Sequence, residues 1–170
     1  SKFNSRATVF VVVDFAALGL VSGSASAARQ NVLAHHRRTF TKHLKSHCGT
    51  VLRSFQPRAV AEFSEASEAL DCVLEAKDAI ERQNEVLPST ERVHICVGIH
   101  MGELATNEPV LSSDLVSHAN QLINIADVGG ITVSNPVHDG APKYQALMVP
   151  HELGSDTGDG KSARVFIVAG

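Results

Sequence analysis

The sequence predicts an α+β fold, a mixed β-sheet with helices packed mainly on one face, and three observations carry that expectation. Apolar strand-type runs occur at residues 8–14, 93–100 and 131–134. Two long amphipathic stretches, at about 24–47 and 64–86, separate them, and apolar residues there recur at helical spacing. Finally, the inferred order β-α-ββ-α-β-α-β-ββ contains no detectable repeat and implies a mixed sheet with helices packed mainly on one side. At 170 residues, with 44% hydrophobic and 19% charged residues, the chain is long and apolar enough to bury one core. It is expected to be a single domain over 1–170, with a core at about 7–134 and closing strands at about 143–168.

The first element is a buried strand at 8–14. Its surroundings imitate a secretion signal, since Lys2 and Arg6 precede an apolar run from Val9 to Val21 and Ala25-Ser26-Ala27 resembles a cleavage site. Asp14 lies within that run, where a charge opposes insertion, and the run is too short to span a bilayer. A strand ending in a carboxylate fits better.

Next comes a helix from about 24 to 47, capped by Ser24 or Ser26 and stopped at Gly49, with Val32, His36, Phe40, His43, Leu44 and His47 on one stripe. Residues 50–55 and 59–63 then read as a hairpin with Gln56-Pro57-Arg58 at its tip, where a proline removes no ladder hydrogen bond. The helix at 64–86 sets Ala66, Ala69, Leu70, Val73, Ala76 and Ile80 against a charged face. Val93, Ile95, Val97 and Ile99 alternate with His94, Cys96, Gly98 and His100 along a strand that Met101-Gly102 should end.

Ser112 or Ser113 can cap a third helix to about 126, with Asp114 at its positive end, before Gly129-Gly130 stops it. Residues 131–134 form a short strand, 135–142 a loop, and 145–153 and 164–168 a closing pair joined by the glycine-rich 154–160. That loop links two strands rather than opening a helix, so it reads as a solvent turn and not as a phosphate cradle. The whole is a ferredoxin-like plan with extensions.

Eighteen acids against fifteen lysines and arginines give a net charge of -3. No long basic run tracks a phosphate backbone, so nucleic acid is not an expected partner. Cys48, Cys72 and Cys96 form no CxxC pair and suit a reducing, cytoplasmic setting. Ser1 in place of an initiator Met points to a processed protein or an excised domain. No G-x-S-x-G elbow supports a hydrolase. His36, His43 and His47 on one helical face, or His94, Cys96 and His100 on one strand face, offer zinc-type donors, so a histidine-based metal-dependent protein is one alternative.

Four motifs in order carry a family resemblance: the apolar strand ending in Asp14; Gly49-Thr50-Val51 leading a hairpin that closes on Ala61-Glu62-Phe63; Val97-Gly98-Ile99-His100-Met101-Gly102-Glu103; and Ala126-Asp127-Val128-Gly129-Gly130-Ile131-Thr132-Val133-Ser134. Together they resemble the class III adenylate/guanylate cyclase catalytic domain. The resemblance implies a cyclase-type mixed sheet and, in active members, two carboxylates that hold two divalent ions, Mg²⁺ or Mn²⁺. It places the first metal carboxylate at Asp14 and the second at Pro57, which has no side-chain oxygen.

The resemblance sets the ribose-orienting Asn at Ser117 and the phosphate-stabilising Arg at Gln121. It sets the purine-reading Lys at Arg53 and that residue's acidic partner at Val110. Losing a preorganised cation opposite developing charge costs orders of magnitude in rate. The expectation is therefore a degenerate member, catalytically inactive and without a cofactor, serving as a regulatory, binding or dimerisation module in signalling. Mg²⁺ or Mn²⁺ would be needed only for residual activity. Arg53 and Val110 would then be vestigial, and Asp14 a capped or solvated strand end.

The resemblance implies a homodimer or a heterodimer with a related cyclase domain, without a membrane segment in this chain. A low-activity cyclase completed by a partner chain is the other alternative. The expected contact is the hairpin, through Val51, Phe55, Val60 and Phe63.

Overall fold

The computed structural model describes residues 4–16, 27–55, 58–125, 129–152 and 164–169. The proposed caps Ser24 and Ser26, Pro57 at the hairpin tip and the loop 154–160 lie outside them. Seven strands, β1 (Ser5–Ala16), β2 (Thr50–Arg53), β3 (Ala59–Phe63), β4 (His94–Ala105), β5 (Ile131–Ser134), β6 (Met148–Glu152) and β7 (Arg164–Val168), form one mixed sheet in the order β2-β3-β1-β4-β5-β7-β6. Among the described strands, only the β4–β5 pair is parallel. The helices are α1 (Ala27–Ser46), α2 (Ala66–Glu85), α3 (Asp114–Leu122) and α4 (Asn135–Gly140).

β1 is central and flanked on both sides, which is why its run Val9–Val13 is apolar without alternation and fully buried. Side chains of a strand nevertheless divide between two faces. Val9, Val11, Val13 and Phe15 join the larger apolar cluster, which contains Leu33, Phe40 and Leu44 of α1 and Leu70, Val73 and Ile80 of α2. Phe10 and Val12 join the smaller one, with Val60, Cys96, Leu104, Val116 and Ala119. Hence, among the described residues, α1, α2 and α4 cover one face and α3 covers the other. Asp14, even-numbered like Phe10 and Val12, belongs to the α3 face.

Gly98 makes the seat for α3. A Cβ at that position would lie 2.2 Å from the Ala119 carbonyl oxygen, so only glycine admits the helix this close to β4. Ser113 caps α3, its Oγ accepting from the Val116 amide, and Asp114 occupies the first turn.

Several boundaries differ from expectation, among them that of α3, which ends at Leu122 rather than near 126. β4 continues past Met101-Gly102 to Ala105 because its second half pairs with Ser5–Val9 of β1. Residues 135–140 form α4, started by Pro136 in its first turn, followed by a 3-10 turn at Pro142–Leu147, so β6 begins only at Met148. The hairpin's apolar residues also turn inward. Phe55, Val60 and Phe63 are buried within the chain and Val51 packs against the same core, so they are not the exposed contact surface that the sequence suggested.

Candidate functional site

At the end of β1, Asp14 meets a cation from the neighbouring hairpin strand. Val13 pairs with Ala59, which brings residue 58 alongside residue 14. Arg58 Nε donates to Asp14 Oδ2 at 3.0 Å, and its Nη1 donates to Asn120 Oδ1 of α3 at 2.7 Å. Asp14 Oδ1 accepts from the Phe15 amide at 2.8 Å. The Arg58 carbonyl accepts from Arg53 Nε at 3.3 Å. One guanidinium thus ties β1 to α3, and the carboxylate that the sequence singles out is neutralised within its own chain. Charge-assisted contacts of this kind are about twice as strong as neutral ones. The pair is only partly open, with side-chain exposure of 23% for Arg58 and 33% for Asp14.

This arrangement does not fit a two-cation centre. A divalent ion at Asp14 would have to displace or sit beside the positive charge of Arg58, and like charges at that range repel. Among the described residues, no group of three or more His, Cys, Asp and Glu side chains could hold a metal ion.

The other positions drawn from the sequence are scattered in role. Ser117 and Gln121 are exposed on α3, while Asn120 between them makes the bond to Arg58. Val110 is half-buried against the smaller cluster, and its carbonyl accepts from Ser113 Oγ at 2.7 Å. It supports the α3 cap. Arg58 and Asn120 were missed by sequence reasoning. The signal for Arg58 was the hairpin register: with Ala59 opposite Val13, the residue before it must stand by Asp14. Asn120 had no comparable signal, because a polar residue on a short helix is ordinarily solvated.

The histidine trios do not assemble. His36 is buried between α1 and α2, sharing hydrogen bonds with Gln83 and Asn84 at 3.0 Å each. His43 bonds to the Thr39 carbonyl of its own helix, and His47 pairs with Glu75. On β4, His94 pairs with Glu81 while Cys96 is packed in the smaller cluster. Each side chain is satisfied separately, which removes the geometric basis for a shared zinc ion.

His100 instead forms a second polar centre that the sequence did not reveal. Its ring stacks on His118 of α3 with centroids 4.1 Å apart, and Nδ1 lies 2.7 Å from Ser134 Oγ. Burial, and secondarily the neighbouring His118, pushes the His100 pKa down to about 4. Burial also lowers that of His118. Both rings are neutral at pH 7 and act as packing between sheet and helix.

No family model matches the chain. Over 93 residues, 55% of its length, it is 27% identical to "Putative adenylate cyclase 3" of Rhizobium meliloti (strain 1021), of which it spans only 16%. The adenylate/guanylate cyclase/hydrolase from Silicibacter pomeroyi superposes with a TM-score of 0.76 at 23% identity, covering 98% of both chains. The guanylyl cyclase domain of the RhoGC fusion protein from Blastocladiella emersonii superposes with a TM-score of 0.70 at 14% identity, covering 97% of each chain, in a structure described as a non-canonical dimer. The same domain has also been solved as a monomer. By these superpositions the chain has the fold of the class III adenylate/guanylate cyclase catalytic domains.

Proposed function

We propose that this is a cyclase-homology domain without cyclase activity, which acts in signalling as a regulatory, binding or dimerisation module. The observation that carries the reading is the Arg58–Asp14 pair. Arg58 sits on the carboxylate that would begin a metal centre, at 3.0 Å, and is itself held by Asn120. Ser117 has no amide where the resemblance implies Asn, and Gln121 has no guanidinium where it implies Arg. The Val110 side chain offers no acceptor for a purine edge, and its surroundings on the apolar cluster suit a packing role.

The domain pairs with a second copy or with a related cyclase domain. Dimers are described for the Blastocladiella domain, which supports association as a mode of action. No helix among the described residues is long and apolar enough to cross a membrane. No disulfide joins Cys48, Cys72 or Cys96 among the described residues, which is compatible with a reducing cytoplasm.

Binding of Mn²⁺, followed by the loss of its free-ion electron paramagnetic resonance signal, tests the reading. The wild-type protein should show no Mn²⁺ site that depends on Asp14, and Arg58→Ala should expose only a weak one, since a lone carboxylate holds a hard cation poorly. A Mn²⁺ site in the wild type that disappears in Asp14→Asn would overturn it.

A further inference from the structure

Asp14 and Phe15 are adjacent on β1 but serve opposite faces of the sheet, and the face of Phe15 carries a different kind of site. Between α1 and the residues that follow β2 lies a groove of about 650 Å³, whose lining includes Arg37, Arg38, Thr41, Lys42, Lys45 and Ser54. Its size lies within the range of small-ligand sites.

The charge around this groove is segregated. The chain is negative overall, yet α1 holds five of its fifteen lysines and arginines and none of its eighteen acids. Arg37, Arg38, Lys42 and Lys45 have no carboxylate partner among the described residues. Lys45 lies in the last turn, where the helix dipole favours a cation. Arg37, Arg38 and Lys42 lie too far up the helix for that explanation. Like charges at i and i+4, as at Arg38 and Lys42, disfavour the helix unless something compensates.

One of the four is already positioned. The Arg37 guanidinium stands 5.8 Å from the centre of the Phe15 ring and 5.9 Å from that of Phe55. The two rings are themselves stacked at 4.9 Å. Such stacking fixes the plane of the fork without consuming its hydrogen-bond donors.

We propose that this groove binds an anion bearing several contiguous phosphoryl groups. Arginine forks and lysine ammonium groups are the donors that recognise phosphoryl oxygens, with the hydroxyls of Thr41 and Ser54 at the margin. Nucleoside polyphosphates and inorganic polyphosphate share this chemistry. The site is independent of the inactive cyclase reading, because it uses no residue of the Asp14 centre and needs no metal.

Titration calorimetry with inorganic tripolyphosphate in EDTA tests it, with ATP in EDTA as a second probe. Tripolyphosphate should bind saturably, more weakly as NaCl is raised, and about tenfold or more weakly to Arg38→Ala/Lys42→Ala. Both side chains are exposed, so that variant should keep the wild-type melting temperature. Tighter binding of ATP would assign the groove to nucleotides, and equal binding to the phosphate chain alone. Asp14→Asn should bind like the wild type. Absence of saturable binding of tripolyphosphate, unchanged affinity in the double variant, or loss of binding in Asp14→Asn would each overturn the proposal.

Discussion

The Arg58 guanidinium bridges Asp14 on β1 and Asn120 on α3, at 3.0 and 2.7 Å, and so joins the sheet to the helix that covers that face. Removing the bridge leaves a half-buried carboxylate with only the Phe15 amide as a described hydrogen-bond partner. Arg58→Ala should therefore lower stability by about 1–2 kcal/mol, and Asn120→Ala by less. A urea double-mutant cycle on the two should give a coupling of roughly 1 kcal/mol. Additive effects would mean that the contact to α3 contributes nothing.

Acid should loosen the α3 face. The folded pKa of His100 is about 4, below its ordinary 6.5, so the unfolded chain binds more protons between those values. Stability from the neutral ring is fully present above about pH 6.5 and is lost as the pH falls toward 4, by up to about 3 kcal/mol. Urea midpoints across this window should fall in the wild type and fall less in His100→Gln, which cannot titrate. Glu62 acts lower down: burial would raise its pKa, but hydrogen bonds from Arg6 and Thr8 hold it below 4.5. Its stabilisation is present above that value and is lost as the pH falls below it.

Gly98→Ala tests the seat of α3. The added methyl would lie 2.2 Å from the Ala119 carbonyl oxygen, a backbone atom that cannot rotate away. We expect a loss of about 3 kcal/mol, or roughly 6–12 °C in Tm. A melting temperature within 2 °C of wild type, as an order-of-magnitude bound, would show that α3 shifts freely.

Phe55 belongs to the core and not to an outer contact. It stacks on Phe15 at 4.9 Å and meets Phe40 edge-on at 6.4 Å. Phe55→Asp should unfold the domain, or cost more than about 4 kcal/mol, because it buries an unpaired charge and empties an aromatic site. Circular dichroism and sedimentation on the same sample separate this from an interface effect. A folded protein with altered association would return Phe55 to the surface.

Much of the architecture was legible because periodicity reports burial. The unbroken apolar run of β1 announced a buried strand, and the alternation at Val93–Ile99 announced the start of β4. The extent of β4 was not legible: Gly102 looks like a turn in sequence, while cross-strand pairing with Thr8 keeps it in the ladder. Residues 135–140 looked like a loop because Pro136 and Gly140 bracket them, although proline at a helix start is favourable.

At the candidate site, Asp14 was visible as a charge at the end of an apolar strand. Its partner was not, since an arginine beside a proline turn carries no local pattern and gains meaning only from register. The stacking of His100 on His118 depends in turn on how closely α3 lies on Gly98.

On the proposed reading, the cyclase fold here encloses a carboxylate that Arg58 neutralises and that has no catalytic role. The most direct test of that reading is turnover: purified protein with ATP or GTP and Mg²⁺ or Mn²⁺, with cyclic nucleotide measured by mass spectrometry. The expected result is no product above a protein-free control. Cyclic AMP or cyclic GMP formed by the wild type and abolished in Asp14→Ala would contradict the account.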